Sequence, residues 1–300
     1  MTVTDPTAPP VAAPQAPPGT ATDPAAPRRP HLLRVLVHGR GLVGTVLVGV
    51  VVLAGLAAPL LAPYPPLEQI PGANLVGPSW AHWLGTDEVN RDVLSRTLFG
   101  IRANLEIIAV AVPVGAVLGS LVGLVSGLSS AVDVVAQRTF DVLLAFPVLI
   151  LAIALAAVLG PGATAVVVVI AVAEIPIFGR LVRGAALAVR EMPYVEAATV
   201  VGAGRWWVLR RHVLPNAAEP AGVQVAVSLS VAVFVESAMS FLGIGVRPPD
   251  PSLGSIIAGS VLYLDVNPGM ALGPLVVVTL LVLGFLLVAQ ALAAGRRVAG

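Results

Sequence analysis

The chain has 300 residues, of which 57% are hydrophobic and only 11% are charged. Soluble domains carry about 25% charged residues, so this composition excludes an ordinary soluble domain and predicts a polytopic membrane protein. The formal net charge of +1 argues against a nucleic-acid partner. Cysteine is absent, which excludes disulfides, a thiol nucleophile and a cysteine metal site.

Lysine is also absent, because all 17 basic residues are arginines. An ordinary P-loop needs a lysine that reaches the nucleotide phosphates, so the sequence excludes a P-loop of that kind. If ATP drives this protein, we therefore expect another chain to bind it.

Residues 1–40 form a segment rich in proline and alanine that we predict to be a disordered cytoplasmic tail. Such a segment has too little apolar surface to offset the entropy cost of ordering it. We do not expect a signal peptide, since no apolar core occurs in the first thirty residues. The arginines interpreted as a topology signal before the first span are Arg28, Arg29, Arg34 and Arg40.

Six apolar segments are long enough to cross a bilayer, which takes about 20 helical residues. With the N-terminus inside, most arginines fall in cytoplasmic parts, as the positive-inside rule requires, so we predict that both termini are cytoplasmic. Residues 41–102 would hold the first span and an external segment, and residues 103–295 the main membrane core, with a cytoplasmic loop at 188–216. The predicted spans are 42–62, 103–128, 138–160, 163–186, 217–243 and 271–293.

The external segment runs from Pro63 to Ile101 and is rich in charge towards its end. Its second half is predicted to form an amphipathic helix on the membrane surface. The residues on its apolar side are Val93, Leu94, Leu98 and Ile101. We interpret the charges as a solvated face with local ion pairs rather than an acid/base or metal cluster. These charged residues are Asp87, Glu88, Arg91, Asp92 and Arg96.

The second predicted span carries a glycine at every fourth position. This spacing places the glycines on one helical face, where another helix can approach closely, so we predict a packing role for them. The four residues are Gly115, Gly119, Gly123 and Gly127.

Several polar side chains fall inside predicted spans, where carboxylates are costly and usually face a cavity or a partner. Two interpretations of Glu174, Glu236 and Gln224 stay open: they line a translocation path, or they pair with polar groups at a subunit interface. Glu106 is close to Arg102, so structural pairing is favoured there. No His or Ser stands near these carboxylates at a spacing typical of catalysis, and we predict no catalytic residue and no metal or cofactor site.

The loop at 188–216 is polar in an otherwise apolar chain, and its arginines indicate the cytoplasmic side. Its pattern predicts a short helix, a break at Gly202, a second short helix and a stop at Pro215. A rigid bent element of this kind suits docking into a groove of another protein. The aromatic residues interpreted as anchors at the membrane interface are Trp206 and Trp207.

This loop resembles the EAA loop of ABC importer permeases, whose pattern is E-A-A-x3-G-x9-I-x-L-P. It departs at His212, which replaces isoleucine. No partner for His212 is visible in the sequence, and we assign it no catalytic role. Two further stretches resemble the dipeptide, oligopeptide and nickel importer permeases: HWLGTDEVNRDVLSR at 82–96, with Asn90 in place of glycine, and ESAMSFLGIGVRPP at 236–249. The resemblance covers about residues 30–295. The positions that match the EAA loop are Glu196, Ala197, Ala198, Gly202, Leu214 and Pro215.

The resemblance implies an all-α polytopic membrane protein with six transmembrane helices and the type I ABC importer permease fold. It implies a C-type permease subunit of a dipeptide or oligopeptide importer in the plasma (inner) membrane of a prokaryote, working by alternating access. The implied partners are a homologous second permease, two cytoplasmic ATPase subunits that bind ATP and magnesium, and an external substrate-binding protein. Arg205 joins the matched loop residues as an implied contact to the ATPase.

Other functions are less well supported by the sequence. A stand-alone secondary transporter would show inverted repeats and a self-contained ion path, and neither is visible. An intramembrane enzyme would need a nucleophile with a base, or a metal site, within the spans, and no His occurs in any of them. A third alternative keeps the importer but changes the cargo to nickel complexes, glutathione or another small solute.

Overall fold

The computed structural model describes residues 35–127 and 129–297, without the side chains at 205, 217–219 and 296–297. Most of the predicted tail, including Arg28, Arg29 and Arg34, therefore lies outside the described residues. Within the described part the protein is helical, and its one β pairing is an isolated bridge between Thr86 and Asp92.

Eleven α-helices are described, and two short irregular helices join them. The α-helices are α1 (Gly39–Leu56), α2 (Ala58–Leu61), α3 (Val93–Ser126), α4 (Ser130–Ala145), α5 (Val148–Leu159), α6 (Ala163–Arg190), α7 (Pro193–Val200), α8 (Arg205–Val208), α9 (Leu214–Phe241), α10 (Leu253–Ser260) and α11 (Gly269–Arg297). A π-helical turn, Leu209–Val213, precedes α9, and a 3-10 turn, Val261–Tyr263, follows α10.

Five helices in the described residues are long and apolar enough to cross a membrane, namely α1, α3, α6, α9 and α11. A sixth crossing is available if α4 and α5 count as one span. The all-helical fold with six predicted spans is therefore confirmed.

The third span is not the continuous helix predicted over 138–160. It is divided into α4 and α5, which meet at an angle of 96°. The break lies at Phe146 and Pro147, and Phe146 has extended backbone angles of −86° and 130°. A residue before proline is disfavoured in the helical region, because the proline ring clashes with its backbone, so the helix ends there.

The second span also differs from its prediction, because α3 begins at Val93 rather than near residue 103. The amphipathic surface helix predicted for this stretch is instead the first part of α3, where Val93 and Ile101 are buried. Asp92 caps the helix, since its Oδ2 accepts hydrogen bonds from the backbone N–H of Ser95 at 2.8 Å and from Ser95 Oγ at 2.8 Å.

The glycine stripe of α3 packs directly against α6, which confirms the predicted packing role. A Cβ atom added to Gly115 would lie 2.6 Å from the carbonyl oxygen of Ala171, and one added to Gly119 or Gly123 would meet the α6 backbone even more closely. Each later glycine of α3 meets a later residue of α6, up to Gly123 against Gly179. The two helices therefore run parallel and touch backbone to backbone. Only glycine permits this approach.

Candidate functional site

The predicted loop motif forms a compact bend over residues 193–215, which we call the 193–215 bend. Pro193 opens α7, where its missing N–H is not needed. A turn over 201–204 leads into α8, and the π-helical turn connects α8 to α9, whose first turn contains Pro215. The predicted order of helix, glycine turn, second helix and proline is present.

Gly202 makes the turn possible through its backbone angle rather than its size. Its φ is +94°, and an added Cβ would have no atom within 4 Å. The turn is closed by the N–H of Gly202 on the carbonyl of Thr199 at 3.0 Å, and by the N–H of Ala203 on the carbonyl of Ala198 at 2.9 Å. A side chain at Gly202 would therefore strain the backbone without any steric clash.

One side of α7 is anchored and the other is free. Val195 is buried in a small apolar cluster with Ala186 and Val189 of α6 and with Val208 and Val213. Of the matched motif positions, Ala198 is half-buried and the others are exposed, namely Glu196, Ala197, Gly202, Leu214 and Pro215.

The exposed apolar side chains of the bend are large. Val200 and Val201 are 82% and 89% exposed, and Trp206 is 69% exposed. A separate cleft of about 440 Å³ borders the anchored side of the bend, and Arg190, Val195 and Glu196 are among its lining residues. The side chain of Arg205 lies outside the described residues, so its predicted contact stays a prediction.

His212 has two aromatic neighbours that were not visible from the sequence. Its ring centroid lies 5.2 Å from that of Tyr194 in α7 and 5.2 Å from that of Trp207 in α8. Trp207, predicted as a membrane anchor, thus packs against another residue of the bend. The π-helical turn brings these three rings together, and nothing in the linear spacing indicated this.

Glu174 lies in α6 and is 4% exposed. Ser228 Oγ of α9 donates a hydrogen bond to Glu174 Oε2 at 2.6 Å. Gln224 Nε2 donates to Ser228 Oγ at 3.3 Å, so the predicted residues Glu174 and Gln224 are joined through a serine that the sequence did not single out. This polar row connects α6 to α9.

Glu236 is fully buried in α9 and has more partners than Glu174. Its Oε1 accepts from Ser240 Oγ at 2.9 Å, and its Oε2 accepts from Ser237 Oγ at 3.2 Å and from Asn104 Nδ2 of α3. These contacts make it a tie between α3 and α9. Glu106, by contrast, is exposed and pairs with Arg102, whose Nε lies 2.9 Å from Glu106 Oε1, as predicted.

The charges of residues 63–92 and the start of α3 are not a solvated face. Asp87, Arg91 and Arg96 are 2%, 8% and 3% exposed. Arg91 Nε donates to Asp87 Oδ2 at 2.7 Å, and Arg96 Nε lies 3.5 Å from the same oxygen. The predicted local ion pairs are present, but the prediction that they are solvated was wrong. Loops distant in sequence cover them, since Arg96 Nη1 donates to the carbonyls of Pro66 and Pro249 at 3.2 and 3.3 Å.

The same segment is fixed at two further points. His82 Nδ1 lies 2.9 Å from Asp92 Oδ1, and the His82 ring packs against Tyr64 at 5.1 Å. The buried Asn267 Nδ2 donates to the carbonyl of Thr86 at 3.1 Å. Among the described residues, no group of three or more His, Cys, Asp or Glu side chains is arranged to hold a metal ion.

Comparison with known proteins gives this arrangement a family. The model of the family described as "Binding-protein-dependent transport system inner membrane component" matches residues 115–298, more than half of the chain. The dipeptide transport system permease protein DppC of Alkalihalophilus pseudofirmus is 34% identical over 84% of this chain and 83% of its own length. The glutathione transport system permease protein GsiD of Pectobacterium atrosepticum is 38% identical over 72% of each chain.

A third relative supports this assignment, and a solved structure shares the fold. The di/tripeptide transport system permease protein DppC of Pseudomonas aeruginosa is 38% identical over 76% of this chain and 78% of its own. A structure of the MetNI methionine ABC transporter in an inward-facing conformation matches 68% of this chain and 96% of its own, with a TM-score of 0.52 and 22% identity, and so shows a common fold. The chain belongs to the family of inner-membrane components of binding-protein-dependent transport systems.

Proposed function

We propose that this chain forms half of the translocation path of an ATP-driven importer for dipeptides or oligopeptides. The proposed partners are a homologous second permease, two cytoplasmic ATPase subunits that bind ATP and magnesium, and an external substrate-binding protein. In this arrangement both termini and the 193–215 bend lie on the cytoplasmic side.

One observation carries the proposal: the 193–215 bend is anchored by its buried side and exposes apolar side chains on the other. Val200 and Val201, at the end of α7, are among the most exposed valines described. An exposed apolar patch rimmed by polar residues is typical of a protein interaction site. The bend therefore suits the groove of an ATPase subunit, with Glu196 placed in the first turn of α7, where the helix dipole favours an anion.

The bend is placed to transmit movement to two spans. It follows α6 after only two residues, Glu191 and Met192, and it passes into α9 without a gap. When the ATPase subunits close on ATP, we expect them to push on the bend, so that α6 and α9 move and the path opens outward. ATP hydrolysis then resets the path inward.

The cargo is proposed from the relatives, two of which are named as transporters of dipeptides or of di- and tripeptides. A second cargo class is glutathione, because another relative is named for glutathione transport. Nickel complexes or another small solute complete the alternatives. Glutathione and dipeptides both carry a free amino group, so both are suitable cargo for the same importer.

A glycine exchange tests the coupling role. Gly202→Val should abolish ATP-driven uptake, because a β-branched residue is strained at a φ of +94°. Gly204→Val is the matched control, since Gly204 lies two residues away, has an ordinary φ and also has open space around an added Cβ. Glu196→Lys should abolish uptake as well. Full uptake by the Gly202 and Glu196 variants, at matched amounts in the membrane, would remove the coupling role.

Purification of the tagged chain in mild detergent tests the partners. Recovery of a second permease and two ATPase subunits is expected, and the ATPase subunits should be lost with Gly202→Val but kept with Gly204→Val. Recovery of the chain alone, still able to move solute into vesicles without ATP, would contradict the proposal.

A further inference from the structure

A cleft of about 160 Å³ lies between the α4–α5 break, α6 and α9. We call it the Glu174 cleft, because Glu174 is the one charged residue among the described residues that line it. The other lining side chains are apolar, and they include Phe146 and Leu151 beside the break, Ile177 of α6, and Val231 and Val235 of α9.

Glu174 is held firmly at this position. An added Cβ on Gly115 would lie 2.6 Å from Glu174 Cβ, so the glycine contact between α3 and α6 fixes the backbone from which the carboxylate projects. Ser228 Oγ donates a hydrogen bond to Oε2, whereas the other oxygen, Oε1, has no hydrogen-bond partner among the described residues. The carboxylate thus keeps one acceptor available.

The comparison with Glu236 shows what is unusual about this carboxylate. Both lie inside spans, but Glu236 is fully buried and accepts hydrogen bonds from Ser237, Ser240 and Asn104. Glu174 has a single donor and faces a cleft. An ionised carboxylate with so few partners in an apolar setting is costly unless a proton neutralises it or a cation pairs with it.

We infer that Glu174 is a cation-binding position on the solute path, which receives the protonated primary amine of a small solute such as the amino terminus of a dipeptide. An ammonium group brings a positive charge and N–H donors for the free oxygen. The apolar walls lower the local dielectric and so strengthen the attraction. This inference rests on the proposed function, since it names the part of the cargo that the path recognises.

The geometry also predicts the orientation of a bound peptide. The amine is attracted to the Glu174 cleft, whereas the carboxylate end of a peptide is repelled by the same charge. A peptide would therefore be oriented with its amino terminus towards α6. Gln224 and Ser228 continue the polar row along α9 and offer the next hydrogen-bonding groups.

The absence of cysteine from the chain allows a direct test. Val231 lines the cleft and is 50% exposed, so Val231→Cys places a single reactive thiol beside Glu174. In the complete reconstituted transporter, the rates of modification by a cationic and a neutral methanethiosulfonate are measured, and each is divided by its rate with a free thiol. The cationic reagent should be favoured about tenfold, as expected for one charge about 12 Å from the thiol at an effective dielectric near 20.

Adding Glu174→Gln to Val231→Cys should bring the ratio of the two rates to about one. Glu236→Gln in the same background is the matched control and should leave the ratio unchanged, because Glu236 does not line the cleft. Excess dialanine should slow the cationic reagent, and N-acetyl-dialanine should do so much less.

Three results would overturn the inference: the same ratio with and without Glu174→Gln, no modification by either reagent, or equal protection by both peptides. An arginine of the second permease that pairs permanently with Glu174 would produce the first result. Failure of the proposed function is separable, because it would appear as wild-type transporter without ATP-driven uptake, whatever the modification rates.

Discussion

Two polar regions carry sequence motifs and differ in which side chains they bury. One is residues 63–92 with the start of α3, and the other is the 193–215 bend. In the first, Asp87 and Arg96 are 2% and 3% exposed and are paired within the chain. In the second, Glu196 is exposed and Val201 is 89% exposed. One region buries its charges, and the other exposes its apolar groups.

The difference has a simple physical meaning. A charge leaves water only when partners inside the fold replace its hydration, so the buried charges Asp87, Arg91 and Arg96 are paired within this chain. A large apolar side chain stays in water when its partner belongs to another molecule. The 193–215 bend is therefore the region that another protein completes.

The largest expected effect comes from breaking the buried charges. Asp87→Asn leaves Arg91 and Arg96 without their shared carboxylate, which should cost about 3–5 kcal/mol of unfolding free energy. Thermal unfolding of the purified chain in detergent measures it. Glu106→Gln is the control, because the exposed pair with Arg102 should contribute less than about 1 kcal/mol. Equal shifts for both variants would mean that the 63–92 charges are solvated after all.

The second effect tests the contact that joins the two regions through α3 and α6. Gly119→Leu should cost about 1–3 kcal/mol or more, because the added side chain meets the backbone of Ile175. Gly184→Leu is the control within α6, where an added Cβ has no atom within 4 Å. The amount of folded protein after detergent extraction compares them. Similar yields from both variants would contradict the close packing.

The smallest effect on stability is expected at the bend. Val201→Asp should change the unfolding free energy by less than about 0.5 kcal/mol, because the side chain is exposed. It should nevertheless lower recovery of the ATPase subunits about tenfold, as for a moderate interface residue that contributes about 1.4 kcal/mol. Leu262→Asp, at an 85% exposed leucine in the turn after α10, should leave that recovery unchanged. Undiminished recovery with Val201→Asp would show that the valine is not in the interface.

The spans and the bend were predictable because their signals are local. Long apolar runs predict helices that cross a membrane, and Gly202 and Pro215 mark the turns of the bend within a few residues. The break in the third span also had a local signal, the proline at 147, but its angle depends on how α4 and α5 pack.

The buried contacts were not predictable, because their partners are far apart in the sequence. Arg96 reaches the carbonyl of Pro249, 153 residues away, and Ser228 reaches Glu174, 54 residues away. Periodicity shows which residues share a face but not what covers that face. The rings around His212 were missed for a related reason, since the π-helical turn changes the spacing that an α-helix would have. The functional roles of Glu196, Gly202, Glu174 and Gln224 remain predictions.

The backbone contact between α3 and α6 has a mechanical consequence. Side chains yield under load by changing rotamer, but glycine against a main chain has no such slack, so the pair should behave as one stiff strut. The glycine contacts lie in the second half of α3, from Gly115 to Gly123, and α3 as a whole is about 50 Å long because it has 34 residues. The α3 end of the strut is clamped into the charge-paired 63–92 segment, and its α6 end continues into the bend. A push at one side of the membrane would thus be felt at the other as displacement rather than be absorbed as deformation.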